Sequence, residues 1–193
     1  GKRNGKHSAP QQEINELLLA KAEEGKIVVR LKGGDPYVFG RGAEEVLYLK
    51  EKGIETEEIP GISSAIAIPA MAGIPVTHRN VSRSFSVITG HTAPADESDV
   101  TALHSDIKNS AAMDGTCVYL MGLTHLKEIA DTLMQEGKPA DTPAAVISGG
   151  FDGSYRAVYG TLRDIAEKTA KEGIESPAVI VTGDVVGFQE KLK

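Results

Sequence analysis

Cysteine occurs once in these 193 residues, as Cys117. It sits inside the apolar run Cys117–Met121, so a disulfide framework and a cysteine-based metal site are both excluded. Basic residues are outnumbered: 21 Lys and Arg against 27 Asp and Glu leave a formal net charge of −6. Such a balance gives no general attraction to nucleic acid or to an anionic membrane surface. An anionic substrate must then be captured by a local basic cluster, against the overall field. No apolar stretch reaches the roughly 20 residues needed to span a bilayer. No secretory signal is legible, so a cytoplasmic setting is expected. Internal repeats and low-complexity tracts are lacking too. With hydrophobic residues at 40% and charged residues at 25%, the chain reads as globular. Its length suits one domain of ordinary size or two small ones.

The familiar catalytic signatures are also missing. No Gly-Lys-Ser/Thr follows the glycines, and no G-x-G-x-x-G occurs, so NTP hydrolysis and dinucleotide binding lose most of their support. His7, His78, His91, His104 and His125 lack close metal-ligand spacing, and no metal site is expected. No serine or cysteine sits in a nucleophile elbow. What remains is chemistry carried by a bound cofactor and positioned by backbone.

Two stretches supply such backbone. Arg30–Glu45 reads RLKGGDPYVFGRGAEE. It follows the β-branched run Ile27-Val28-Val29, suited to a buried strand, and precedes a short helix carrying Val46, Leu47 and Leu49. A strand, a glycine turn and a helix in succession mark the place where open α/β sheets bind ligands. Gly33-Gly34-Asp35 is therefore either a cradle for the polar part of a ligand or an ordinary tight turn in which Asp35 caps the next helix. Pro60-Gly61-Ile62-Ser63-Ser64 leads into the apolar helix AIAIPAMAG, shortened or kinked by Pro69. Its N–H groups and hydroxyls suit either an anion or a plain helix cap. Lys2, Arg3, His7, Arg41, His78, Arg79 and Arg83 recur at loop edges. Convergence of several on one cleft would favour a polyanionic ligand.

In chain order, Ser8 is expected to cap a helix bearing Ile14, Leu17, Leu18 and Ala22 and ending at Gly25. Strand, helix, the segment Ile54–Ile59 and a further helix follow. This half reads as βαβ-type with parallel strands, and its opening strand–loop–helix unit is expected ahead of Gly1. Beyond a boundary near Asn80–Arg83, strands are expected at Ser84–Thr89, Thr116–Leu120, Ala144–Ile147, Tyr155–Tyr159 and Ala178–Thr182. Helices are expected at Leu123–Gln135 and Leu162–Lys171. Gly90–Ser110 reads as a surface loop or irregular helix. Alternation in this half is only partial, so its sheet is expected to be mixed. The domains are thus 1–81 and 82–193.

Gly1–Asn15 (GKRNGKHSAPQQEIN), Arg30–Glu45, Pro60–Ser64 and Gly73–Arg79 (GIPVTHR) resemble the motif series of the uroporphyrinogen-III C-methyltransferase family, among the tetrapyrrole methylases. Tyr119–Gly122 and Ser176–Gly183 resemble its later blocks, and the likeness runs in order over essentially the whole chain. It implies a two-domain α/β methylase, with a parallel-sheet first domain that is incomplete at its start. It further implies a homodimer holding S-adenosyl-L-methionine between domains and releasing S-adenosyl-L-homocysteine. Carried over by position, Gly33, Gly34, Asp35, Val38, Ser63, Ser64, Met121 and Gly150 bind the cofactor, and Lys2 stands where the family's proposed proton donor does. Arg41, His78 and Arg79 are the candidates for the carboxylates of uroporphyrinogen III. The implied product is precorrin-2 by way of precorrin-1, in sirohaem and cobalamin synthesis. The family's opening G-x-G-P-G-D loop has no counterpart here, and Ser148–Gly153 (SGGFDG) departs from its usual Glu-Asn-Gly-Thr-like loop. Rival readings are another precorrin methylase, a diphthine-synthase-like methylase, and an inactive cofactor-binding fragment.

Overall fold

Two helices carry the first part of the chain. The computed structural model describes residues 10–90, 97–150 and 153–192, and it divides into compact units of residues 1–63 and 64–193. In the first unit, α1 (Gln11–Glu23) begins directly after Pro10, whose fixed φ suits a helix start. Asn15 and Leu18 form its buried stripe, while Leu17 is exposed, against the expected face. Gly25, at φ +74°, ends the helix as expected. In α2 (Gly42–Glu51), Gly42 and Glu45 are the buried positions and Leu47 is exposed.

The strand expected at Ile27–Val29 does not form, and neither does one at Ile54–Ile59; both stretches lie outside any ladder among the described residues. Ile27 and Val29 are 98% and 81% exposed. A strand exists only by pairing its backbone groups with a neighbour, however strong its β-propensity. Without that pairing, no parallel sheet is seen in this half among the described residues.

The second unit is organised on one sheet. Its strands are β1 (Phe85–Thr89), β2 (Thr116–Leu120), β3 (Pro143–Ser148), β4 (Arg156–Thr161) and β5 (Ala178–Thr182), in the order β1-β2-β5-β3-β4. β1 and β2 run parallel, and the remaining neighbours pair antiparallel. The sheet is mixed, as the partial alternation implied. Both of its faces are covered. Tyr119, Val146 and Ile180 pack on one side with Ile107 of α4 (Glu97–Ala111), Ile129 and Leu133 of α5 (Leu126–Gln135), and Ile165 of α6 (Ile165–Lys171). Val118, Ile147, Val179 and Val181 face the other side, against Ala65 and Ile68 of α3 (Ser64–Met71), Ile74 and Val185. Each such aliphatic side chain taken from water contributes about 1.5–3 kcal/mol.

Residues 97–111 form a regular helix in place of the surface loop or irregular helix expected there; Ile107 and Ala111, four residues apart, are buried in an otherwise acid- and serine-rich stretch. Residues 64–81 belong with the sheet, since Ala65, Ile68, Ala72 and Ile74 are buried against it. The compact unit that holds the sheet thus begins at Ser64.

Candidate functional site

In the first unit the two glycine-bearing bends lie against each other. Asp35 Oδ2 accepts the Gly61 N–H at 3.1 Å and Oδ1 accepts the Tyr37 N–H at 2.9 Å. Those two donors hold the Asp35 carboxyl below the usual carboxylate range, against the small effect of burial. Asp35 does not cap α2, whose N-cap position is Arg41. A Cβ on Gly61 would stand 3.0 Å from the Gly34 carbonyl, and one on Gly34 would stand 3.3 Å from the Ile62 oxygen. These glycines thus allow backbone to approach backbone. Gly33 differs: nothing lies within 4 Å of a Cβ built there, so a ligand has free approach on that side.

The loop after Asp35 is wound tightly. Cβ atoms on Gly40 or Gly42 would each come within 2.6 Å of the Pro36 oxygen, and Phe39 and Arg41 take left-handed φ values of 51° and 55°. Such conformations cost non-glycine residues about 1–2 kcal/mol each. The loop presents Tyr37, Val38 and Phe39 to solvent as an apolar surface. The Arg41 guanidinium is engaged with Glu44 through Nε at 2.9 Å, so a substrate carboxylate would have to compete with Glu44 for it.

Beneath the turn lies a charge that the sequence reading did not single out. Glu45, 4% exposed, accepts from Gln11 Nε2 at 2.9 Å and from Lys32 Nζ at 3.0 Å, with Arg30 Nε at 3.4 Å. Burial raises its pKa, but the hydrogen bonds from Gln11 and Lys32 and the charges of Lys32 and Arg30 outweigh that, leaving the carboxyl below its ordinary value. A signal was available: Gly42, Glu45 and Leu49 share the inward helical spacing of α2.

In the second unit the candidates fall at two ends of the sheet. Met121 follows β2, Gly149 and Gly150 follow β3, and β5 begins between those strands, with Leu120 opposite Val179 and Ser148 opposite Ala178. Met121 and Gly150 are thus brought to one sheet end, on either side of the β5 entry. Met121 is 49% exposed at φ +57°. Behind it Gly90 and Gly122 touch so closely that a Cβ on Gly90 would stand 2.4 Å from the Gly122 Cα. A cavity of about 450 Å³ lined by Ser148, Gly149, Arg156 and Pro177 opens at this end. His78 and Arg79 lie at the opposite end. There the His78 ring stacks on Phe188 at 4.2 Å between centroids. The turn through Arg79 is pinned by Ser82, whose hydroxyl meets that of Thr116 at 2.9 Å. The structure therefore separates these two candidates from Met121 and Gly150. Ser64 is exposed at the start of α3 and Ser63 is partly buried. Lys2 lies outside the described residues.

A family model described as Tetrapyrrole (Corrin/Porphyrin) Methylases matches residues 1–166. The chain belongs to this family. Among its relatives is a uroporphyrinogen-III C-methyltransferase of Methanocaldococcus jannaschii, 52% identical over 190 residues that make up 96% of this chain and 75% of that protein. An S-adenosyl-L-methionine-dependent uroporphyrinogen III methyltransferase of Methanosarcina barkeri is 49% identical over 100% of this chain and 74% of its own length. A solved uroporphyrin-III C-methyl transferase from Thermus thermophilus, complexed with S-adenyl homocysteine, superposes with a TM-score of 0.77 at 35% identity, over 92% of this chain and 74% of that one. The α/β fold of this tetrapyrrole methylase is the one that the motif series implied.

Within this methylase the described residues include no cluster of three or more His, Cys, Asp or Glu arranged to hold a metal. No helix among them is long and apolar enough to cross a membrane. A hollow of about 600 Å³ in the first unit is lined by Lys50, Gly53, Ile54, Glu55, Thr56 and Glu57. It lies at the C-terminal end of α2, whereas the loop leading from the glycine turn enters that helix at its other end.

Proposed function

We propose that this methylase transfers methyl groups from S-adenosyl-L-methionine to pyrrole carbons of uroporphyrinogen III, giving precorrin-2 through precorrin-1 for sirohaem and cobalamin synthesis. The reading is carried by identity of 52% over 190 residues to a protein named for that activity. The residues present suit the cofactor: open space beside Gly33, an exposed apolar loop at Val38, the carboxylate of Asp35 for a cationic partner, and an exposed Met121 in a left-handed conformation. When bound, the cofactor supplies an electrophilic sulfonium methyl that needs alignment rather than activation.

The chain's own residues then have definable tasks. Gly33, Gly34, Asp35, Val38, Ser63, Ser64, Met121 and Gly150 are proposed to hold and orient the cofactor. Arg41, His78 and Arg79 are proposed for the carboxylates of the macrocycle, with Arg41 exchanging Glu44 for substrate. Attack by a pyrrole carbon places positive charge on the ring, and a base must take a proton from it; Lys2 is proposed for the separate proton-donor role that its position implies. The protein is proposed to act as a homodimer in the cytoplasm. Incubation with uroporphyrinogen III and methyl-labelled donor tests the whole reading; a tetrapyrrole that stays unlabelled defeats it.

A further inference from the structure

A carboxylate sealed beneath a ligand-binding turn calls for an explanation. Glu45 is on the inward face of α2, and replacing a buried ion pair by apolar side chains is often neutral or stabilising. Stability alone is thus a weak reason for a charge at this position. What a carboxylate provides, and a leucine does not, is direction. Its Oε1 takes Gln11 from α1 and its Oε2 takes Lys32, and the Lys32 side chain is 10% exposed, so both ends of that pair are held. Lys32 is bonded directly to Gly33. Past the turn, Asp35 is tied to Tyr37 and Gly61. Gly33-Gly34 is therefore fixed from both sides by carboxylates, one buried and one at the surface. Gln11 is itself held against Asn15 Oδ1 at 3.2 Å, which links α1 to the same anchor.

We infer that Glu45 is a positioning residue for the Gly33-Gly34-Asp35 turn, setting through Lys32 the backbone that meets the cofactor. This rests on the reading of that turn as a cofactor site. Misplacement of a binding group by about 1 Å can cost on the order of a hundredfold, so loss of the anchor has a large expected effect without any lost contact to ligand.

The experiment compares wild type, Glu45→Gln and the double variant Lys32→Met/Glu45→Leu in the purified protein. It measures the thermal midpoint, the calorimetric affinity for S-adenosyl-L-homocysteine, and kcat and KM for the methyl donor. Both variants are expected to bind S-adenosyl-L-homocysteine about tenfold or more weakly. Donor KM should rise while kcat at saturation stays near wild type. The double variant, free of buried charge, should melt close to wild type while keeping the weak binding, which a purely structural pair would not do. Wild-type affinity in the double variant, or in a folded Glu45→Gln, overturns the inference. Failure of the wild type itself to bind S-adenosyl-L-homocysteine instead overturns the cofactor reading on which it stands.

Discussion

Asp35 Oδ2 and the Gly61 N–H meet at 3.1 Å across 26 positions of chain. One acidic side chain therefore fixes the distance between the two bends that the sequence marks with glycine. Its other oxygen closes a local turn on Tyr37, an arrangement typical of aspartate in turns. Removing the carboxylate frees two backbone donors at once, one of them on the other bend.

Asp35→Ala is accordingly expected to weaken S-adenosyl-L-homocysteine binding well beyond Glu44→Ala. Glu44 forms an exposed pair with Arg41, and such pairs contribute about 0–1 kcal/mol. Calorimetric titration of both variants decides the matter. Equal affinities would reduce Asp35 to a turn residue.

The same contacts fix a pH dependence. Asp35 and Glu45 both have carboxyls held below their ordinary values. A group depressed in this way adds stability that is present above its unfolded value, near about 4, and is lost as pH falls through the folded value. Urea unfolding of wild type and Asp35→Asn should therefore show a stability gap at neutral pH that closes on acidification below about pH 4. A gap that persists unchanged into acid would show that the carboxylate charge is not its source.

Gly33 and Gly61 form a discriminating pair. A methyl at Gly61 runs into the Gly34 backbone, whereas one at Gly33 meets nothing. Gly61→Ala should cost about 1–3 kcal/mol, as overpacking does, and weaken the cofactor with it. Gly33→Ala should leave the melting temperature alone and weaken S-adenosyl-L-homocysteine selectively. Were Gly33→Ala silent in both measurements, no ligand would be approaching on that side.

Legibility in the sequence followed where each element gets its stability. β2 and β5 were readable because their apolar runs are buried on both faces by this chain's own helices: Val118 and Ile180 are fully inaccessible. Ile27–Val29 has equal β-propensity, but pairing is a property of neighbours and cannot be read from the run itself. The glycine bends were legible as bends. Their mutual contact through Asp35 was not, because no spacing rule connects residue 35 to residue 61. Glu45 escaped notice because one of two adjacent acids in GAEEVLYL reads as a solvated helix charge until its three donors are seen around it.

Met121 permits a test in which stability and binding move in opposite directions. Its left-handed φ of 57° would suit glycine, and relieving that conformation is worth about 1–2 kcal/mol. Its side chain is half exposed, so truncation forfeits little packing. Met121→Gly is therefore expected to melt at or above the wild-type temperature while binding S-adenosyl-L-homocysteine more weakly. Strain of this kind at an exposed strand end is what motivates the proposal that Met121 meets the cofactor. Loss of stability with unchanged affinity would place Met121 among the packing residues.

His78 lies at the far end of the sheet from Met121 and packs on Phe188. An aromatic pair of this kind adds about 0.5–1.5 kcal/mol beyond its buried area. His78→Ala should then lower the melting temperature modestly and leave S-adenosyl-L-homocysteine affinity untouched, since no strand end carries both groups. The informative quantity is KM for uroporphyrinogen III. An increase, at unchanged donor KM, would assign His78 to the macrocycle carboxylates despite its distance from Met121. An unchanged KM would make the ring a structural prop for the 78–82 turn, leaving Arg41 and Arg79 as the remaining candidates for substrate charge.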